Sequence, residues 1–183
     1  MSKGLFAYVV QKHKATSLHY DFRLEIGGVM PSWSIPKGPT LDPGVKRLAM
    51  PTGPHDLEYR KFEGIISEGS YGAGAVMIWD EGTYSPEVEV SRGLRRLVTD
   101  RKEAEEVVRS ELRDGSLKFT LYGKKLQGSF ALVRTGGLGG AREAWLLIKH
   151  KDGHCKEGYD AKYYDFSAMS NKTLAQIAGA GTL

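Results

Sequence analysis

The stretch Gln11-Lys12-His13-Lys14-Ala15-Thr16-Ser17-Leu18-His19-Tyr20-Asp21-Phe22-Arg23-Leu24-Glu25 carries the clearest structural signal in the chain. From His19 onward the alternation is strict, with Tyr20, Phe22 and Leu24 on one side and His19, Asp21, Arg23 and Glu25 on the other. A period of two marks a strand whose faces meet different surroundings. A half-buried strand with a wet face is the plainest account, but four ionisable residues of mixed sign on one face are an unusual draw for solvent exposure alone. Phe6–Lys12 reads as a second strand. The connection between His13 and His19 then makes a strand-turn-strand unit with both imidazoles at one end of the sheet, next to Asp21.

Working outward, all the prolines and most of the glycines fall in the first two thirds, cutting the chain into short segments rich in aromatic and β-branched residues. Such punctuation predicts further strands over Met30–Ile35, Arg47–Pro51, Ala75–Trp79, Leu117–Tyr122, Gly128–Arg134 and Ala144–Lys149, with the alternating strand itself spanning His19–Ile26. Gly27-Gly28 and Tyr122-Gly123-Lys124 are hairpin signals, since glycine supplies the positive φ that tight turns require. About eight strands with short connections suggest an antiparallel barrel or sandwich.

One helix is predicted, from Arg101 to Arg113, with Asp100 and Glu103 in a capping-box-like pattern and Gly115 as its stop. Ala104, Val107, Val108 and Leu112 form its apolar stripe. It reads as a decoration on the barrel. Pro36 to Gly44 and Thr52 to Gly74 look irregular, and loops this long in a compact domain are more often functional than idle. Residues 1–166 are expected as one domain and 167–183 as a linker-like tail, with Lys172 to Ala178 either a short helix or a frayed end.

The 183 residues are 40% apolar and 26% charged, as expected of a globular protein with one packed core. A formal charge of +4 suits a polyanionic partner without proving one. The single cysteine, Cys155, excludes an internal disulfide framework and any zinc module built on two thiolates, and it fits a reducing compartment. No stretch approaches the roughly 18 apolar residues of a membrane helix, and a cytoplasmic, monomeric protein is expected.

Two imidazoles and a carboxylate are a common ligand set for Mn²⁺, Fe²⁺ or Zn²⁺ with open positions, and a metal so held polarises a phosphoryl oxygen or acidifies a water. Arg23 lies two residues beyond Asp21 on the same face, about 7 Å along the strand, where a guanidinium could take two oxygens of a bound anion. The competing account of Arg23 is a salt bridge to Glu25 or another acid. Lys46-Arg47 and His55-Asp56-Leu57-Glu58-Tyr59 add cations, a third histidine and a phenol, though spacing cannot show that they converge. Gly69 to Gly74 and Gly136 to Gly140 lack the context of a phosphate-binding P-loop and read as a tight turn and a flexible hairpin loop. Lys149 to Cys155 reads as a basic strand end able to touch a nucleic-acid backbone.

Taken in order, Val9 to His13, Leu18 to Glu25, Ser32-Trp33-Ser34-Ile35-Pro36-Lys37-Gly38-Pro39, Val45 to Ala49, His55 to Tyr59, Phe62 to Ile66, Gly69 to Asp80, Leu132 to Thr135 and Trp145 to Lys149 closely resemble the 3′-phosphoesterase domain of bacterial DNA ligase D. That resemblance spans about residues 6–155 and implies a closed antiparallel eight-stranded β-barrel, all-β but for one or two peripheral helices. It implies an Mn²⁺-dependent enzyme that removes 3′-phosphates, and 3′-terminal ribonucleosides, from DNA or RNA–DNA ends during end joining. It makes His13, His19 and Asp21 the metal ligands and Arg23, Arg47 and His55 the groups that hold the phosphate, with Tyr59 and Gln11 lining the pocket. His55 would act as general acid or anchor. The family's preceding arm, which assists nucleoside removal, is expected to be missing, and a free-standing relative acting beside a separate ATP-dependent DNA ligase is expected.

Two rival classes remain. A non-catalytic nucleic-acid-binding barrel would use Trp79, Tyr71 and Tyr84 as its aromatic surface but leaves His13, His19 and Asp21 without a task. A metal phosphoesterase for small metabolites would not require a nucleic-acid 3′ end.

Overall fold

β1 (Phe6–Lys14) and β2 (Leu18–Leu24) form the expected hairpin, with His13 opposite His19, Gln11 opposite Asp21 and Val9 opposite Arg23. In this computed structural model, which describes residues 3–136 and 143–179, the chain continues through β3 (Val29–Ile35), β4 (Arg47–Asp56), β5 (Gly64–Ile66), β6 (Gly74–Ser91) and β7 (Leu94–Leu97). α1 (Arg101–Asp114), β8 (Ser116–Gly123), β9 (Gln127–Thr135), β10 (Ala144–Lys149) and α2 (Leu174–Gly179) complete it. Pairing runs β1-β2-β3-β4-β10-β9-β8-β6, and β6 pairs back to β1, so eight strands close an antiparallel barrel. β5 and β7 attach to β6 outside the ring.

The barrel interior is aromatic. Tyr8, Phe22, Tyr84, Phe119 and Phe130 have no more than 1% of their surface exposed, and Phe119 packs against Phe22, Tyr84 and Phe130 with ring centroids 6.0–6.1 Å apart. α1 closes the end where β1 begins. Its Ala104 and Val108 join the core cluster of Phe6 and Tyr84, and the Arg101 guanidinium lies over the Phe6 ring. The helix is therefore a lid on the core rather than a decoration. It is capped as its sequence predicts, with Asp100 accepting from the Glu103 N–H at 2.8 Å and Gly115 left-handed at φ 84°. Residues 156–166 cover the other end, where Tyr159 stacks on Tyr164 and the Tyr164 carbonyl accepts from the Trp79 indole at 2.9 Å. Residues 167–179 pack on the wall: the Ala168 N–H donates to Ile78 O, and Leu174 and Ile177 are buried.

β6 is much longer than the expected Ala75–Trp79 strand. Its register slips between Val10 and Gln11, which pair with Asp80 and Ile78, so Trp79 opposes no residue and the alternation resets. This bulge lets one strand serve β1, β5, β7 and β8 along its length. Thr52 to Gly74, expected to be irregular, holds the end of β4, a 3-10 turn at Leu57–Lys61 and β5. Gly27 and Gly28 take φ of 59° and 81° between the bridged Ile26 and Val29, as the hairpin requires. Gly123 is not in that conformation; it is needed because a Cβ there would lie 1.7 Å from the Tyr8 hydroxyl. The flexible loop expected over Gly136 to Gly140 falls, beyond Gly136, outside the described residues.

Candidate active site

The strand alternation sends Tyr20, Phe22 and Leu24 into the barrel and leaves Gln11, His13, Asp21 and Arg23 on its outer wall. That wall is not wet. Val9, Met30 and Ile78 form a second small core on the same face, with Leu57 and Ala168 packed over it. The turn at Leu57–Lys61 is strapped down by Gln11, whose amide donates to the carbonyls of Tyr59 at 2.8 Å and Phe62 at 3.2 Å. The ionisable residues therefore sit in a cleft between barrel wall and turn.

Three of them converge. His19 Nε2 lies 3.3 Å and His13 Nδ1 3.9 Å from Asp21 Oδ2, and one ligand atom from each residue lies within 4.8 Å of the others. Two cis ligands about 2.1 Å from a first-row metal are separated by roughly 3 Å, so this set is close to a coordinating arrangement. A second observation agrees: His13 Nε2 is buried without a hydrogen-bond partner. Burial, and then the neighbouring His19, lower the His13 pKa, favouring the neutral imidazole that coordination requires. The hydrogen bond that the His19 ring donates to Asp21 raises that of His19. The residues fit a divalent metal.

Arg23 is next to this cluster and 3% exposed. Its Nε donates to Gln11 Oε1 at 2.6 Å, its Nη1 to Ser32 Oγ at 2.8 Å and to His55 Nδ1 at 3.0 Å, and its Nη2 lies 3.3 Å from Asp21 Oδ2. A guanidinium has five N–H groups, so only Nη2 retains one for a ligand. In this arrangement Nη2 is the part of Arg23 left for an anion, and its acid is Asp21 rather than Glu25. Glu25 instead accepts from the Ala7 N–H at 2.8 Å.

His55 is brought to the site by β4. A guanidinium nitrogen cannot accept a hydrogen bond, so the Arg23 contact favours Nδ1 of His55 as acceptor with the ring proton on Nε2, against the Gly53 carbonyl, which lies 3.3 Å from the same Nδ1 and could only accept from it. Burial and the Arg23 charge both lower the His55 pKa, consistent with a neutral ring. Its ring lies 4.5 Å from that of Tyr59, which stacks on Phe62 at 5.4 Å and lies under Arg23 at 5.1 Å. Burial raises the Tyr59 pKa, keeping the phenol protonated.

Of the eight residues singled out in the sequence, seven therefore meet in one cleft. Arg47 opens β4 opposite Leu147, its Nε is buried without a partner, and it shares no hydrogen bond or ion pair with the other seven among the described residues. Gln11 is wholly buried, so it positions Arg23 instead of lining the pocket for a substrate. Ser32 and Phe62 were not identified from sequence as site residues; Ser32 is found from register, because it pairs with Arg23 across β2 and β3. Within the basic strand end, Lys149 is closed to a phosphate backbone, its side chain 0% exposed and paired with Asp152 at 2.7 Å, whereas Lys151 and His154 are exposed. No described helix is long and apolar enough to cross a membrane.

Residues 11–134 match the family model described as the DNA ligase D 3′-phosphoesterase domain. The chain is 43% identical over 176 residues to the multifunctional non-homologous end joining protein LigD of Pseudomonas aeruginosa, covering 94% of this chain and 19% of that protein. It is 36% identical over 163 residues to the multifunctional non-homologous end joining DNA repair protein LigD of Mycobacterium tuberculosis, covering 89% and 18%. The chain thus spans about a fifth of the length of these relatives.

Proposed function

We propose that this chain, which belongs to the DNA ligase D 3′-phosphoesterase domain family, hydrolyses 3′-phosphates at DNA or RNA–DNA ends before ligation, with removal of a 3′-terminal ribonucleoside as a second activity. The observation that carries this reading is the contact of the His13, His19 and Asp21 cluster with a buried Arg23 that also touches His55. That combination fits a metal and the anion it polarises.

His13, His19 and Asp21 would hold the divalent cation, with Mn²⁺ proposed, which supplies Lewis-acid polarisation of the phosphate ester. Arg23 offsets negative charge on a non-bridging oxygen through Nη2. His55 donates its Nε2–H to another oxygen. Between the two roles open to it, anchor fits and general acid does not: a neutral imidazole that gave up Nε2–H would become an imidazolate, far too basic to form at neutral pH. Gln11 and Ser32 keep the guanidinium from turning away, and Tyr59 supplies a stacking floor. Arg47, with its unpartnered Nε, is proposed to meet the nucleic acid at the rim. One water is consumed, the P–O3′ bond breaks, and a 3′ hydroxyl and inorganic phosphate result. A 3′ hydroxyl is what a DNA ligase requires, so a ligase, on this chain's own polypeptide or separate, is the proposed next actor.

The test is a 5′-labelled primer-template ending in a 3′-phosphate or in one ribonucleotide, incubated with Mn²⁺, with EDTA, and with His19→Ala protein. Dephosphorylation by intact protein with metal alone is expected. No change on either substrate by folded, metal-loaded protein would overturn the reading and favour a non-catalytic nucleic-acid-binding barrel.

A further inference from the structure

Of the three aromatic residues that a nucleic-acid surface could use, Trp79 and Tyr84 are wholly buried in the core, whereas Tyr71 is fully exposed. It stands on the loop between β5 and β6 and makes no hydrogen bond, ring contact or cation contact with any described residue. The loop around it is nevertheless ordered by two successive turns, with the Ser70 N–H donating to Ser67 O and the Ala73 N–H to Ser70 O, each at 3.2 Å. Gly69 and Gly72 take the positive φ these turns need, 84° and 76°. Gly72 abuts the candidate metal ligand: a Cβ there would lie 3.6 Å from His13 Cε1. The loop then returns tightly into β6, since a Cβ on Gly74 would lie 2.0 Å from the Lys14 carbonyl oxygen.

A turn so constrained holds an aromatic ring in water one residue from the site, where it contributes nothing to the fold. Beside Arg23, the His55, Tyr59 and Phe62 rings pack on one another and add further aromatic surface to the site. An aromatic face beside a phosphate pocket suits a nucleobase, because every base has a π-face and stacking is sequence-tolerant.

We propose that Tyr71 is the stacking platform for the base of the 3′-terminal nucleotide, so that the chain selects phosphates borne on a nucleic-acid end over small phosphate monoesters. This rests on the 3′-end phosphoesterase reading above. The stack contributes to substrate binding and not to the chemistry, so its loss is read in KM.

The experiment compares wild type with Tyr71→Ala and Tyr71→Phe on two 3′-phosphorylated primer-templates, one with an ordinary terminal nucleotide and one whose terminal residue is abasic. Tyr71→Ala should raise KM about five- to a hundredfold on the base-bearing end, the range for one base–aromatic stack, with kcat within about twofold. It should leave the abasic substrate unchanged, and Tyr71→Phe should behave as wild type. Equal kinetics of wild type and Tyr71→Ala on the base-bearing end, or equal losses on both substrates, would overturn the proposal. A 2-aminopurine placed as the terminal base separates this from the catalytic reading. Its fluorescence should be quenched on binding wild type and Tyr71→Phe but not Tyr71→Ala, whether or not phosphate is released. Quenching by all three proteins counts against Tyr71, and quenching without turnover counts only against the phosphoesterase reading.

Discussion

Nη1 of Arg23 lies 3.0 Å from Nδ1 of His55, a contact that favours the neutral Nε2–H tautomer over the Nδ1–H form that the Gly53 carbonyl, 3.3 Å from the same nitrogen, would accept from. Because Nδ1 is occupied as an acceptor, an imidazolium would place two N–H groups against each other. His55 should therefore show the Nε2–H tautomer at neutral pH and titrate below its ordinary value of 6.5, as burial and the Arg23 charge dictate. The sign follows from the direction: the folded protein prefers the neutral ring, so the contribution to stability is present above the unfolded pKa and lost as pH falls through the folded one. Long-range ¹H–¹⁵N spectra of the metal-free protein read both properties. Arg23→Gln should raise the His55 pKa. A protonated Nδ1 at pH 7 would sink the anchor assignment.

Gln11 offers a sharper test of positioning. Its amide spans three groups, the Arg23 Nε and the carbonyls of Tyr59 and Phe62. Gln11→Ala leaves a buried donor and two acceptors unmatched, at about 1–3 kcal/mol for each that stays dry. Loss of about 2–4 kcal/mol in urea denaturation is expected, with kcat for 3′-phosphate removal falling at least tenfold while Mn²⁺ affinity changes little. Full activity in this variant would show that Arg23 holds its pose without the strap.

How much of this was legible beforehand depended on which physical signal each residue carried. His13, His19, Asp21 and Arg23 announced themselves because strand alternation places them on one face, and the hairpin register follows from the spacing. His55 and Tyr59 did not, since they arrive on the end of β4 and a 3-10 turn whose path no periodicity encodes. The inference that His19 to Glu25 present a solvated or ligand-facing side was half right. The face is covered, by a second small core that Val9, Met30 and Ile78 build on the outer wall. The length of β6 was hidden by Asp80-Glu81-Gly82 and Ser85-Pro86, which break the apolar pattern where the strand bulges and changes partner. Gly82 marks a close approach there: a Cβ would lie 2.1 Å from the Tyr122 carbonyl oxygen.

Metal binding should be visible without any substrate. A ligand that binds only the folded state stabilises it by about 2.7 kcal/mol at a hundredfold excess over Kd. Mn²⁺ should therefore raise the melting temperature of wild type but not of His13→Ala or Asp21→Asn. His55→Ala, one residue removed from the cluster through Arg23, should keep the metal-dependent shift. If His13→Ala gains as much from Mn²⁺ as wild type, the cluster is not the binding site.

A last expectation concerns the scaffold, and Asp80 states it most clearly. Its Oδ1 accepts from the N–H groups of Lys124 and Lys125 at 2.9 and 2.8 Å, and its Oδ2 from the Leu126 N–H at 2.9 Å and the Tyr8 hydroxyl at 2.6 Å. All four donors need an acceptor, so the carboxylate ties the β8–β9 turn to β1 from within a site that is 0% exposed. Asp80→Asn alters one heavy atom, yet it sets an NH₂ group against the two backbone N–H groups of Lys124 and Lys125 in one amide orientation and against that of Leu126 in the other. Burial pushes the Asp80 pKa up while these donors oppose it, and the neutral amide should still be the worse occupant because it cannot accept at both positions. Destabilisation of about 3 kcal/mol or more is expected from the unmatched buried groups, read as a lower urea midpoint at unchanged slope. Because the tie lies on the inner side of the wall, any protein that remains folded should retain Mn²⁺ binding at His13, His19 and Asp21. Near-wild-type stability would mean that water reaches this turn and the carboxylate is dispensable.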